Sequence, residues 1–302
     1  MILEFIRNNK TYSLNTAVAR AGDVDYPMYL VGTVGFGLSP AHHLTQRGPF
    51  QQGDSYIGLR LDPRIITLPL VVVATSPEDS FSKRAKLASL FRMSDDVVTV
   101  RMSWTDSTGT YDRSIQGRVL GQLSFDTDAK YETIRTTVQI RCNDPTWYDS
   151  TQSTAILTST LFGTPTLYPK PYPVLYGSAV VDKSTTINYA GTWDSYPIIQ
   201  VTGPATNLVI TDTLNHAINF YDPIPAGELW TINLSYGIYT VYDQSGNNRF
   251  SALASITNLV DWRVYAESDL VPNGVNVISV SATGTDANSN VTMYYTARYI
   301  GV

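Results

Sequence analysis

The chain has 302 residues, 26 of them acidic and 21 basic, giving a net charge of −5, with 43% hydrophobic but only 16% charged residues. So low a charge fraction, together with 20 tyrosines, suits a β-rich fold with much buried or interfacial surface. Without a basic block, binding driven by phosphate neutralisation is disfavoured, and the lone Cys142 rules out an intrachain disulfide and any dependence on an oxidising compartment.

MILEFIRNNK, at the start, lacks the basic, apolar and cleavage regions of a signal peptide. The longest apolar run, Ile65–Ala74, is half the length needed to span a bilayer, so a soluble chain folding in the cytosol is expected. The segment 31–64 follows, with six glycines, three prolines and the adjacent His42 and His43, and without helical periodicity. Its GTVGFG is not followed by the Gly-Lys-Ser/Thr of a phosphate loop or by the helix of a dinucleotide fold, so nucleotide binding is set aside. On extended backbone His42 and His43 point to opposite sides and cannot share one ion. A zinc site needs three or four ligands, and His216 is the only other histidine.

One helix is expected in SPEDSFSKRAKLASLFR: Ser76 caps, Pro77 takes the first helical position, and Glu78 and Asp79 load the first turn. Phe81, Ala85, Ala88 and Phe91 are read as its core stripe, and Lys83, Arg84 and Lys86 as a solvated side. Strands alternate on either side of the next hundred residues. VVTVRMSW places Val98, Val100, Met102 and Trp104 inward; TIRTTVQIRC places Ile134, Thr136, Val138, Ile140 and Cys142 inward, with Arg135 and Arg141 outward. The acidic pairs Asp23/Asp25, Asp95/Asp96 and Asp126/Asp128 sit in turn contexts and are not assigned catalysis. Cys142 is read as a buried structural cysteine.

After Trp147 the composition turns Ser/Thr-rich, then proline-punctuated through TSTLFGTPTLYPKPYP. This predicts a first domain over 1–148, a linker over 149–172 and a second domain over 173–302, a β-sandwich of short strands. There, LWTINLSYG is read as turning Trp230, Ile232, Leu234 and Tyr236 inward, and VTMYYTARYI as grouping Val291, Met293, Tyr295, Ala297 and Tyr299. DQSGNNRF carries hairpin-turn chemistry. Trp193, Tyr196 and Tyr239 are the candidates for a sugar- or partner-binding surface. Neither a catalytic residue, a metal ligand nor a cofactor site is predicted.

Several stretches together carry a resemblance: Gly35-Phe36-Gly37; Arg47-Gly48-Pro49-Phe50-Gln51, then Gly53-Asp54; Arg60-Leu61-Asp62-Pro63-Arg64; CNDPTWY from Cys142; AGTWDSYPIIQVTGP from Ala190; PAGELWTI; and NGVNVISV. In this order, over most of the chain, they resemble the distal tail (Dit) proteins of long non-contractile-tailed bacteriophages. The resemblance implies a mainly β protein: a tail-tube-like β-sandwich or barrel domain with one helix and an extended belt arm, then a galectin-like jelly-roll sandwich. It further implies a non-enzymatic virion component, assembled in the host cytoplasm, that forms a homohexameric hub ring at the tail tip or baseplate. Such a ring joins the tail tube protein to the tip protein and host-recognition apparatus, including receptor-binding proteins, and leaves a channel through which DNA passes without specific binding. On this view Gly35–Gly37 and Arg47–Asp54 form a belt over the neighbouring subunit. The alternative is a carbohydrate-binding module that attaches to host cell-wall polysaccharide.

Overall fold

A computed structural model describes residues 2–14, 28–121, 123–125, 131–157 and 180–302. The chain divides into two compact units, residues 1–150 with 299–302, and residues 151–298. The four C-terminal residues thus belong with the first unit, whereas composition had grouped them with the second. Residues 149–156, read as the start of a linker, are strand, and most of the expected linker lies outside the described residues.

The first unit contains β1 (Ile2–Arg7), β2 (Lys10–Ser13), β3 (Met28–Leu30), β4 (Ala41–Gln46), β5 (Ser55–Leu61), β6 (Arg64–Val73), α1 (Pro77–Leu90), β7 (Val98–Thr105), β8 (Thr110–Val119), β9 (Thr133–Cys142) and the start of β10 (Trp147–Ile156). Antiparallel pairing runs β2-β1-β7-β8, then through the far end of β8 to β9, β6 and β3. Period-two alternation sets the core. On β9, Ile134, Thr136, Val138, Ile140 and Cys142 are buried while Arg135 and Arg141 are exposed. On β6, Ile66, Leu68, Leu70 and Val72 are buried opposite them. Trp104 does not join the buried row of Val98, Val100 and Met102; it is half-buried and stacks on Tyr111 at 5.1 Å.

Helix α1 begins as its sequence dictates, with Ser76 Oγ accepting from Asp79 N at 3.1 Å and Pro77 inside the first turn. Its buried face is another one than expected. Ser80, Leu87 and Leu90 face inward, with Phe91 buried just beyond, whereas Phe81 is 72% exposed and Ala85 and Ala88 lie on the surface. The spacing of Phe81 and Ala85 matched a helical stripe, but Leu87, Leu90 and Phe91 offer more apolar area to the sheet and fix the rotation of the helix.

The second unit contains the rest of β10, β11 (Val180–Asn188), β12 (Ile198–Thr202), β13 (Thr206–Thr211), β14 (Ala217–Asn219), β15 (Leu229–Asn233), β16 (Thr240–Asp243), β17 (Val275–Thr283) and β18 (Asn290–Tyr299), whose last residue returns to the first unit. These strands form two antiparallel sets, β16-β15-β12-β18 and β11-β17-β13-β14. Ile199, Val201, Trp230 and Ile232 from the first and Ile210, Ile218, Ile278 and Val280 from the second share one core. Tyr236 is not among them. It lies beyond β15 in a turn with Gly237 at φ 74°, and is half exposed. In the predicted hairpin turn, the Asp243 carboxylate accepts from Asn247 N, Asn247 Nδ2 and Arg249 Nε, at 2.9, 2.9 and 3.0 Å.

Candidate functional site

The segment 31–64 is an arm. Strands β4 and β5 pair with each other in an antiparallel hairpin and with nothing else among the described residues. A register irregularity falls between Leu44 and Thr45, and the hairpin is closed at its base by Asp62 N donating to Pro40 O at 2.9 Å. Among the described residues nothing covers either face: Leu44, Tyr56, Ile57 and Leu59 are all exposed. A solitary two-stranded hairpin is marginally stable in water, and its outer edges carry unpaired backbone groups that invite a further chain.

Arg47–Asp54 forms the tip. Gln51 organises it: Gly48 N donates to Gln51 Oε1 at 3.0 Å, Gln51 N to Gly48 O at 3.2 Å, and Gln51 Nε2 to Ser55 Oγ at 2.7 Å. Arg47 Nε leans on Gln51 O at 3.4 Å, and Gly53 supplies a positive φ of 72°. Pro49 and Asp54 are exposed, and Phe50 stands 99% exposed at the apex. His42 and His43 sit on strand β4, on extended backbone as expected. They are opposite Arg60 and Leu59, and His43 tilts against Tyr56 at 5.9 Å.

Gly35-Phe36-Gly37 is the root of the arm. Gly35 has φ 88°, and a Cβ there would lie 2.2 Å from Ile65 O, so only glycine fits. Phe36 is buried against Trp147, with ring centroids 5.1 Å apart. Arg64, at an inward position of β6 and 1% exposed, donates through Nη1 to the carbonyls of Gly35, Phe36 and Gly37 at 2.8, 3.1 and 2.8 Å, and through Nη2 to Ile300 O. Burial lowers the guanidinium pKa, opposed by the neighbouring Cys142. The C-terminus adds Val302 N donating to Phe36 O at 3.0 Å. Clamping by the C-terminal residues left no sequence signal. Arg64 did leave one, as a charged residue in phase with Ile66, Leu68, Leu70 and Val72.

Chemistry elsewhere is sparse. Among the described residues no group of three or more His, Cys, Asp or Glu is placed to hold a metal, and no helix is long and apolar enough to cross a membrane. Cys142 is buried, which pushes its thiol up to about 12. Asp96 bonds Ser94 and Arg7, while Asp23, Asp25, Asp126 and Asp128 lie outside the described residues.

The aromatic candidates of the second unit occupy different settings. Trp193 is half-buried, its N donating to Arg298 O at 3.1 Å. Tyr196 meets Tyr236 at 6.1 Å and lies under the guanidinium groups of Arg298 and Arg263, at 4.9 and 5.7 Å. Tyr239 instead lines a largely apolar cavity of about 570 Å³ with Phe250, Leu253, Leu259 and Val260.

Among the described residues the architecture is thus mainly antiparallel β in two units, with one α-helix and a projecting hairpin arm. A scan of protein-family models matches nothing, and neither does a search of curated proteins. Among solved structures, the Dit protein of phage SPP1, described as a paradigm of the hub adsorption apparatus in phages infecting Gram-positive bacteria, is similar at TM-score 0.64 and 12% identity, over 99% of both chains. Chains of the phage p2 baseplate in its activated conformation, with Sr and with Ca, align at TM-score 0.46 and 11% identity, over 100% of this chain and 99% and 100% of theirs. The fold resembles that of the SPP1 Dit protein.

Proposed function

We propose that this chain is a structural subunit of a phage tail hub, a homohexameric ring that joins the tail tube to the tip and host-recognition apparatus. The observation that carries the reading is the β4–β5 arm, whose exposed Leu44, Phe50, Tyr56, Ile57 and Leu59 are left uncovered by the described residues. Fully burying one such side chain contributes about 1.5–3 kcal/mol. A head-to-tail contact repeated around an axis therefore gains several such terms at each interface. The fold shared with the SPP1 hub protein supports the same reading.

In the assembled ring the arm lies as a belt on the adjacent subunit, held at its root by Arg64 and presenting Arg47–Asp54. DNA passes through the central channel without specific contacts, so Arg135 and Arg141, exposed on β9, face away from it or meet acidic partners. Electron microscopy of the purified chain tests this, with six-fold rings around a central opening expected. An arginine-lined opening would contradict the channel, and the absence of rings, alone and on added tail tubes, the hub.

Saccharide binding by the second unit is the other reading, favoured by the cavity beside Tyr239 and Phe250, where an aromatic face is open to a sugar ring. Binding of host cell-wall polysaccharide that Tyr239→Ala abolishes would support it. Equal retention of the variant on that polysaccharide would remove it.

A further inference from the structure

We infer that residues 300–302 are a latch that holds the β4–β5 arm in one pose on its root, and that releasing them leaves the arm attached but free to swing. The latch stands on the geometry of the root alone; its bearing on assembly rests on the ring reading. Both ends of the arm are pinned to the sheet. On the outgoing side Val34 N donates to Thr67 O at 3.1 Å and Thr67 N to Val34 O at 3.0 Å. On the returning side Arg64 opens β6 opposite Cys142. Between these pins, residues 35–40 and 62–63 belong to no strand. They contain Gly35 at φ 88°, Gly37, where a Cβ would meet nothing, and Pro40 and Pro63. These are the residues about which the arm can turn.

Three consecutive residues from far along the chain hold this hinge. Ile300 O accepts from Arg64 Nη2, the guanidinium whose Nη1 holds the carbonyls of Gly35, Phe36 and Gly37. Gly301 lies so close to the hinge backbone that a Cβ there would fall 2.7 Å from Gly37 O and 3.3 Å from Leu38 N. Val302 N donates to Phe36 O at 3.0 Å. Among the described residues, the hydrogen bonds that reach the backbone of residues 35–40 come from Arg64, Val302 and Asp62, and Asp62 belongs to the arm's own base. Arg64 alone therefore remains once the latch is gone. A swinging arm must be ordered before it can lie on a neighbour, and its apparent affinity falls with the fraction of time it spends in the competent pose. A latched arm has met that cost during folding.

A pair of nitroxide labels in the full chain tests this, with the melting of each variant recorded. Gln52→Cys near the arm tip and Ser82→Cys on α1 are exposed positions, while Cys142 is buried. Double electron–electron resonance on the dissociated chain should give one narrow distance distribution. Removing residues 300–302 should replace that narrow peak by a broad distribution. Gly301→Val, which drives a side chain onto Gly37 O, should do the same. Val302→Pro deletes only the donor to Phe36 O and serves where the shortened chain does not fold. Without labels, the latch variants should associate about tenfold more weakly in native mass spectrometry, as expected of an arm that keeps its competent pose about a tenth of the time. A narrow distribution that persists in the folded variants overturns the latch. Broadening with undiminished assembly overturns its bearing on the ring. A wild type that stays monomeric, even on added tail tubes, overturns the ring reading, while the distances in the monomer still decide the latch.

Discussion

Arg64 Nη1 lies 2.8 Å from the carbonyl oxygens of both Gly35 and Gly37, so a single buried guanidinium holds the root of a projecting arm. The same side chain reaches Phe36 O and Ile300 O, tying the C-terminus to the arm. The charge is tolerated in the interior because carbonyl dipoles converge on it. Arg64→Ala takes this donor from the carbonyls of Gly35 and Gly37, with an expected cost of about 3 kcal/mol in a urea titration. Phe50→Ala, at the apex, should leave the same midpoint within about 0.5 kcal/mol.

Gly35 and Gly37 look alike in the sequence and should respond differently. Gly35→Ala puts a methyl 2.2 Å from Ile65 O at φ 88°, and should cost about 1–3 kcal/mol and loosen the arm. Gly37→Ala meets open space and should be close to neutral. Hydrogen exchange at β4 and β5 checks both, with faster exchange expected for the first alone.

Cys142 should be inert in the folded chain. Only the thiolate attacks a disulfide reagent, and burial pushes the thiol up to about 12, so little thiolate forms at pH 8. Labelling with a chromogenic disulfide should therefore be slow in buffer and complete in guanidinium chloride. Rapid labelling in buffer would place Cys142 outside the core.

Asp112 gives the acid limb of stability a definite origin. Hydrogen bonds from Arg101, whose Nε lies 2.8 and 3.0 Å from the two carboxylate oxygens, hold its pKa below the ordinary carboxylate range. A folded pKa below the unfolded one contributes stability above about pH 4, and this stability is lost as pH falls through the folded value. Asp112→Asn should therefore lower the urea midpoint at pH 7, and the gap to the wild type should close in acid.

Strands were the legible part of this molecule, because a half-buried strand writes its register directly into the sequence. Ile134 to Cys142 shows it, each alternate residue buried as the pattern demands. Capping was equally local, and Ser76 and Pro77 open α1 as read. What the helix buries was not legible, since Phe81 and Leu87 compete for one sheet and only the packed sheet decides. Arm residues were conspicuous by composition, yet their division into root and tip depends on Arg64, Trp147 and Ile300, distant in sequence and brought together only by folding. Tyr236 misled for a simpler reason: β15 ends at Asn233, so its alternation cannot extend to a residue in the following turn.

The central claim, that the arm joins one subunit to the next, is tested most directly by removing it and weighing what remains. Asp62 N already donates to Pro40 O at 2.9 Å, so residues 41–61 can be replaced by two glycines without stretching the root. Native mass spectrometry of the intact chain should give a hexamer, and of the shortened chain a monomer that melts at the same temperature. A hexamer that survives loss of the arm would contradict the account.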